Sequence, residues 1–311
     1  MPLKLNDTFC ICAGPDQEPD MESLNALNSK TSAQQHLMCN AYILQNKFIH
    51  MKRYLLLIGF ILFSFLAQAQ YDKLVWEDDF DYTGLPDSSK WSYDTGGHGW
   101  GNNELQYYTK ARKANARVKD GKLIITARKE AYKDMDYTSA RLVTRNKGDW
   151  AYGRISVRAK LPRGKGTWPA IWMLPTDWKY SDGGWPDNGE IDIMEHVGYD
   201  PGVVHGTIHT KDFNHSDGTQ KGEQIEVPDA MDAFHTYSIE WTPQHIKWYV
   251  DDTHYFTYRN NGAGWSSWPF NHPFHLILNI AVGGDWGGAE GVNENIFPVQ
   301  MEVDYVKVYQ Q

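Results

Sequence analysis

Beyond residue 70, apolar and polar positions alternate again and again. Residues 154–161 read RISVRAKL, with Ile155, Val157, Ala159 and Leu161 on one side and Arg154, Ser156, Arg158 and Lys160 on the other. That period of two predicts an antiparallel strand with one wet face. KLIITAR (122–128) follows the turn Asp120-Gly121. FHTYSIEW (234–241) and HIKWYV (245–250) flank Thr242-Pro243-Gln244, and Asp251-Asp252 turns the chain again before HYFTY. FHLILNIAVGG and the closing VDYVKVY complete the set. Helical spacing is not sustained anywhere in this region, and Gly and Pro clusters recur between the strands. The prediction is one all-β domain, 70–311, of two packed antiparallel sheets.

One segment breaks the alternation. GEIDIMEHVG (189–198) holds three carboxylates, Glu190, Asp192 and Glu195, among apolar residues. On a regular strand Glu190 and Asp192 share a face and Glu195 points away. Ile191, Ile193 and Met194 are too apolar for a strand with both faces wet, so the segment predicts a groove, apolar behind and acidic in front. A β-bulge at Ile193-Met194 would return Glu195 to the face of the other two. Two carboxyl groups about 5–5.5 Å apart suit a retaining glycosidase, one as nucleophile and the other as acid. Crowding three acids raises the pKa of at least one of them.

Metal chemistry is the rival. His196, His205 and His209 lie close by, and HGTIH has an H-x3-H spacing. Its β-branched surroundings predict a strand, on which His205 and His209 stand roughly 13 Å apart, too far to share a zinc ion easily. His209 is expected to line the groove instead. Tryptophan adds to that picture. GTWPAIWMLP supplies Trp168 and Trp172, and GGDWGG supplies Trp286, whose flat faces suit pyranose rings; Trp241 and Trp248, in alternating strands, are expected in the core.

Composition changes the picture at the front of the chain. All 13 Trp fall between Trp76 and Trp286, whereas Cys10, Cys12 and Cys39 all precede residue 50. Between these regions, residues 51–69 combine Lys52-Arg53, an apolar run and Ala67-Gln68-Ala69, the pattern of a signal peptide, with a run too short to span a bilayer. Residues 1–50 are then expected to lie upstream of the true initiator, Met51. The mature protein would begin near Gln70, contain no cysteine, be secreted or periplasmic, and be free of the membrane after signal cleavage. A formal charge of −9 argues against nucleic acid as a partner.

The segment EIDIME, with GTWPAIWML before it and WSYDTGGHGWGNNELQYYT, TSARLVT, VVHGTIHT and VDYVKVY around it, resembles glycoside hydrolase family 16, in its laminarinase-like (endo-1,3-β-glucanase) branch. The resemblance implies a concave β-jelly-roll sandwich with an open cleft, acting on β-glucan as a monomer and needing no cofactor for catalysis. It matches Glu190 to the nucleophile, Glu195 to the acid/base and Asp192 to a carboxylate that polarises the pair. Trp168, Trp172, Asn103, Arg141, His209 and Trp286 match sugar-holding positions. It also implies a structural calcium on the convex face, near Asp79, Gly121 and Asp304. Related readings are a hydrolase of mixed-linkage β-glucan, agar, porphyran or carrageenan, and a non-catalytic β-glucan-binding module.

Overall fold

The computed structural model describes residues 71–311; the expectations for the upstream extension (1–50) and the signal peptide (51–69) lie outside the described residues. The strands, in chain order, are β1 (Lys73–Asp78), β2 (Ser92–Asp94), β3 (Gln106–Tyr108), β4 (Ala116–Lys119), β5 (Lys122–Tyr132), β6 (Met135–Ser139), β7 (Arg141–Val143), β8 (Asp149–Trp150) and β9 (Gly153–Lys160). They continue with β10 (Thr167–Pro175), β11 (Glu190–Glu195), β12 (Val203–His209), β13 (Lys221–Glu226), β14 (His235–Trp241), β15 (His245–Val250), β16 (Thr253–Arg259), β17 (Phe274–Val282) and β18 (Val299–Gln310). Only short 3-10 turns interrupt them among the described residues.

Ten strands form one sheet along the path β16-β15-β14-β9-β18-β5-β6-β3, with β1 on β18 and β4 on β5. Eight form the other, β13-β12-β11-β10-β17-β7-β2, with β8 on β17. The two stack as a jelly-roll sandwich, and the eight-stranded sheet carries an open cleft on its concave face. Alternation places the core as expected: Ile155, Val157, Ala159 and Leu161 are all buried, and Trp241 and Trp248 are fully covered. The β14–β15 hairpin pairs Tyr237 with Val250 and Trp241 with Ile246. Its turn is closed by Thr242, whose hydroxyl accepts from the backbone of Gln244 and His245. One pairing departs from the antiparallel expectation: β3 runs parallel to β6. Period-2 patterning specifies a strand's faces but not its partner's direction, so the exception carries no sequence signal.

Candidate active site

The bulge lies where the charge pattern predicted it. Asp192 opposes Thr207 on β12 and Glu195 opposes His205, so three steps along β11 answer two along its partner. On the other side Asp192 faces Trp172 and Glu195 faces Ala170, again with a register shift. Ile193 and Met194 both sink into the core, and Glu195 returns to the face of Glu190 and Asp192. The opposite strand explains its glycine. A Cβ on Gly206 would lie 2.6 Å from the Trp248 ring and 2.4 Å from the Tyr255 hydroxyl. Trp248 uses that space to donate its indole N–H to the Asp192 carbonyl at 2.8 Å, which pins the bulge from inside the sandwich.

Each glutamate is held by an indole. Trp185 Nε1 donates to Glu190 Oε2 at 2.9 Å, and Trp168 Nε1 donates to Glu195 Oε1 at 3.1 Å. His209 Nε2 stands 3.3 Å from Asp192 Oδ2 and 3.8 Å from Glu190 Oε1. Burial first, and then Asp192, pushes Glu190 well above the usual carboxylate range; burial and Glu195 do the same to Asp192. Burial also raises Glu195, although His209 and the Trp168 N–H oppose it. The cluster therefore holds its protons to higher pH than free carboxylates do. Asp192 Oδ2 is buried without a hydrogen-bond partner, and a negative charge on Asp192 disfavours one on Glu190, so a proton on Asp192 would relieve both. Glu190 then keeps the Trp185 N–H as its hydrogen-bond donor, and the raised Glu195 is the group suited to give up a proton.

The cleft runs across the strands on both sides of these acids. One arm, about 420 Å³, is walled by Trp100, Arg141, Trp172 and Asn279; the other, about 590 Å³, by His205, Thr207, His209, Asp285 and Trp286. Trp168 borders both and meets Trp286 edge to face at 5.6 Å. Arg141 lies between two indoles, 4.6 Å from the rings of Trp100 and Trp172. Asn103 is the one expected groove residue that is not a wall of either arm. Its amide instead donates to Asp285 Oδ1 at 2.8 Å, and its neighbour Asn102 lines both arms.

Sequence reasoning passed over six residues. Trp185 and His215 pack with tilted rings 4.6 Å apart on the rim beside Glu190, and Trp100 caps Arg141. Asn279 accepts from Trp172 Nε1 at 2.7 Å and donates to the Tyr108 hydroxyl at 3.0 Å, while Tyr108 in turn donates to the buried Glu104. Glu104, Gln106 and Tyr108 alternate along one strand face, a polar period of two that could have flagged this network.

Glu190, Asp192 and His209 bring side-chain ligand atoms within 4.8 Å of one another, a grouping able to hold a cation. Of the three, Glu190 is already held by the Trp185 indole. The expected calcium positions converge elsewhere. β1 and β5 lie on the same side of β18, ending opposite Val306 and starting beside Val303, so Asp79 and Gly121 flank the gap at Asp304. The donors there are oxygen, as calcium prefers. In this structure, however, Asp79 faces Lys307 at 3.3 Å and Asp304 is paired with Arg158, so calcium would have to displace both cations.

The open cleft and the paired, indole-held carboxyls define a glycoside hydrolase that works on an extended chain. The chain belongs to the glycosyl hydrolases of family 16, whose model matches residues 103–307. It is 57% identical over 282 residues to a beta-glucanase of Rhodothermus marinus, covering 88% of this chain and 99% of that protein. A glucan endo-1,3-beta-glucosidase of Cryptopygus antarcticus is 41% identical, with 75% of this chain and 90% of that protein covered. The X-ray structure of the laminarinase from Rhodothermus marinus superposes with a TM-score of 0.75 at 61% identity, over 76% of this chain and 97% of that one.

Proposed function

We propose that the protein is an endo-1,3-β-glucanase that cleaves laminarin-type β-glucan with retention of configuration. The observation that carries this reading is the bulge in β11, which sets Glu190, Asp192 and Glu195 on one face of a tryptophan-walled cleft. The names of the relatives supply the glucan.

In the first step Glu195 gives its proton to the glycosidic oxygen while a Glu190 oxygen attacks the anomeric carbon, and the bond to the leaving sugar breaks. Trp185 holds the Glu190 carboxylate by its other oxygen, fixing the attacking lone pair. A proton on Asp192 would remove the negative charge that disfavours ionised Glu190, and so help keep Glu190 anionic despite its burial. In the second step Glu195, now a carboxylate, removes a proton from water, whose oxygen displaces Glu190 from the anomeric carbon. Arg141, Trp100 and Trp172 grip the chain on one side of the scissile bond, and Trp286 and His205 on the other.

Calcium on the convex face is part of the same proposal. It would join the ends of β1 and β5 to β18 through Asp79, Gly121 and Asp304, and the oxygen-rich gap supports it. A rise in Tm on adding calcium to chelator-treated protein is expected, and no change would remove calcium from the account. Export rests on the signal-like residues 51–69; N-terminal sequencing of secreted protein should begin near Gln70. Among the described residues no helix is long and apolar enough to cross a membrane. The substrate is tested by reducing-sugar release from laminarin, lichenan, agarose and carrageenan side by side. Laminarin is expected to lead, and preferential release from agarose or carrageenan would overturn the glucan.

A further inference from the structure

A third cavity, about 340 Å³, lies beside the cleft, walled by Leu174, Trp185, Trp178, Arg145 and His275. Leu174 and Trp185 also wall the Arg141–Trp172 arm, so the two spaces share a partition. The displacement between them has a direction. The cleft crosses the strands from β12 through β11 and β10 to β17 and β7. The third cavity is shifted along the strands instead, from Asn279 to His275 on β17 and from Trp172 to Pro175 on β10. Four residues of strand span about 13 Å. A polymer lying in the cleft therefore passes this cavity on its flank.

The walls have the chemistry of a sugar site. Trp178 is 55% exposed, the most exposed large apolar side chain among the described residues. Its loop is fastened by Asn188, whose Oδ1 accepts from the backbone N–H of Lys179 and Tyr180 and whose Nδ2 donates to the Ser181 carbonyl. The indole is thus presented on a fixed loop. Arg145 donates to His275 Nε2 at 3.1 Å and lies 3.6 Å from Asp94, using only part of its five N–H donors. Burial, and then Arg145 and Arg141, push His275 down to about 3, so the ring stays neutral. With Nε2 accepting, the ring proton sits on Nδ1, a buried donor for which the protein supplies no acceptor.

We propose that this cavity is an accessory subsite for a single glycosyl side branch that projects from the backbone glycan held in the Arg141–Trp172 arm. The exposed indole offers the flat apolar face, Arg145 offers donors for the hydroxyls, and the sideways offset selects a branch over the main chain. The inference rests on the endo-glucanase reading above, with the branch a glucosyl unit on a β-1,3-linked backbone.

The test compares kcat/KM on linear β-1,3-glucan with kcat/KM on the same backbone carrying single 1,6-linked glucosyl branches, for the wild type, Trp178→Ala and Trp178→Phe. Trp178 is exposed, so its truncation opens no cavity in the core, and matching Tm values check this. Trp178→Ala should lower the branched-to-linear ratio about tenfold, the effect of roughly 50 Å² of indole face left uncovered. Trp178→Phe, which keeps a flat ring, should recover most of the ratio. A ratio unmoved in Trp178→Ala, or equal losses on both substrates, would overturn the branch subsite while leaving the endo-glucanase intact. A wild type inactive on linear β-1,3-glucan would defeat the glucanase reading and this inference together.

Discussion

The two outer faces of this sandwich use the same residue type in opposite ways. On the ten-stranded sheet Glu302 lies between two lysines, 2.6 Å from Lys122 and 2.7 Å from Lys160. Burial opposes ionisation there, yet the lysines hold its carboxyl below the usual range. On the eight-stranded sheet Glu190, Asp192 and Glu195 face one another with indoles and a histidine for neighbours, and all three are raised. The convex face neutralises its charges and gains stability from them. The cleft leaves its acids crowded, so they hold protons to higher pH than free carboxylates do, at a cost to stability.

Removing the acids from the cleft should break this contrast most severely. Glu190→Ala is expected to lower kcat on β-1,3-glucan by at least about 10⁴-fold, as for other catalytic nucleophiles. Its Tm should hold or rise, because the crowding is relieved, and a Tm loss as large as that of a core truncation would contradict the stated cost.

Asp192→Asn should leave an enzyme impaired about 10- to 100-fold, the scale of a hydrogen bond to a charged group. As pH rises Asp192 ionises and its charge opposes ionisation of Glu195, so the permanently neutral side chain of the variant removes that repulsion and moves the basic limb of the pH–kcat/KM profile to lower pH. Folding raises the Asp192 pKa, so its contribution to stability is complete below the ordinary carboxylate range and is lost as pH rises toward the folded value. The variant should therefore lose less stability than the wild type between pH 4 and pH 7, read from urea unfolding at each pH.

Trp185→Phe keeps the ring but removes the N–H on Glu190. A fall of about tenfold in kcat is expected, with a smaller change in KM, because the attacking carboxylate loses its anchor rather than its substrate.

The smallest effect belongs to the convex face. Glu302→Gln should cost about 1 kcal/mol at pH 7 and leave kcat unchanged. Because folding lowers this pKa, its stabilisation is present above the ordinary carboxylate range and disappears as pH falls through the folded value. The deficit should shrink as pH falls below the ordinary carboxylate range, opposite in sign to the behaviour of Asp192.

How much of this could be read from the chain follows from what each pattern encodes. The strand faces of RISVRAKL and HIKWYV were legible because burial on one side forces a period of two. The bulge was legible because three acids cannot share a face of a regular strand at positions 190, 192 and 195. Trp185 was not, since it stands on a Gly- and Pro-rich loop whose path over Glu190 depends on long-range packing. Nor was the Trp172–Asn279–Tyr108–Glu104 network, whose members come from β10, β17, β3 and the segment before it. Asn102 and Asn103 show the limit of position matching: adjacent asparagines near positive-φ turns, of which one lines the cleft and the other braces Asp285.

The central claim, that the bulge makes Glu190 the nucleophile and Glu195 the acid/base, is tested most directly by azide rescue of the two alanine variants on an activated aryl β-glucoside. Azide should restore turnover of Glu195→Ala by attacking the glycosyl-enzyme, giving β-glycosyl azide. In Glu190→Ala it should take the nucleophile's place and attack the substrate itself, giving the α-anomer, with proton NMR of the fresh product reading the configuration. A β-azide from Glu190→Ala and an α-azide from Glu195→Ala would mean that the two glutamates have exchanged roles.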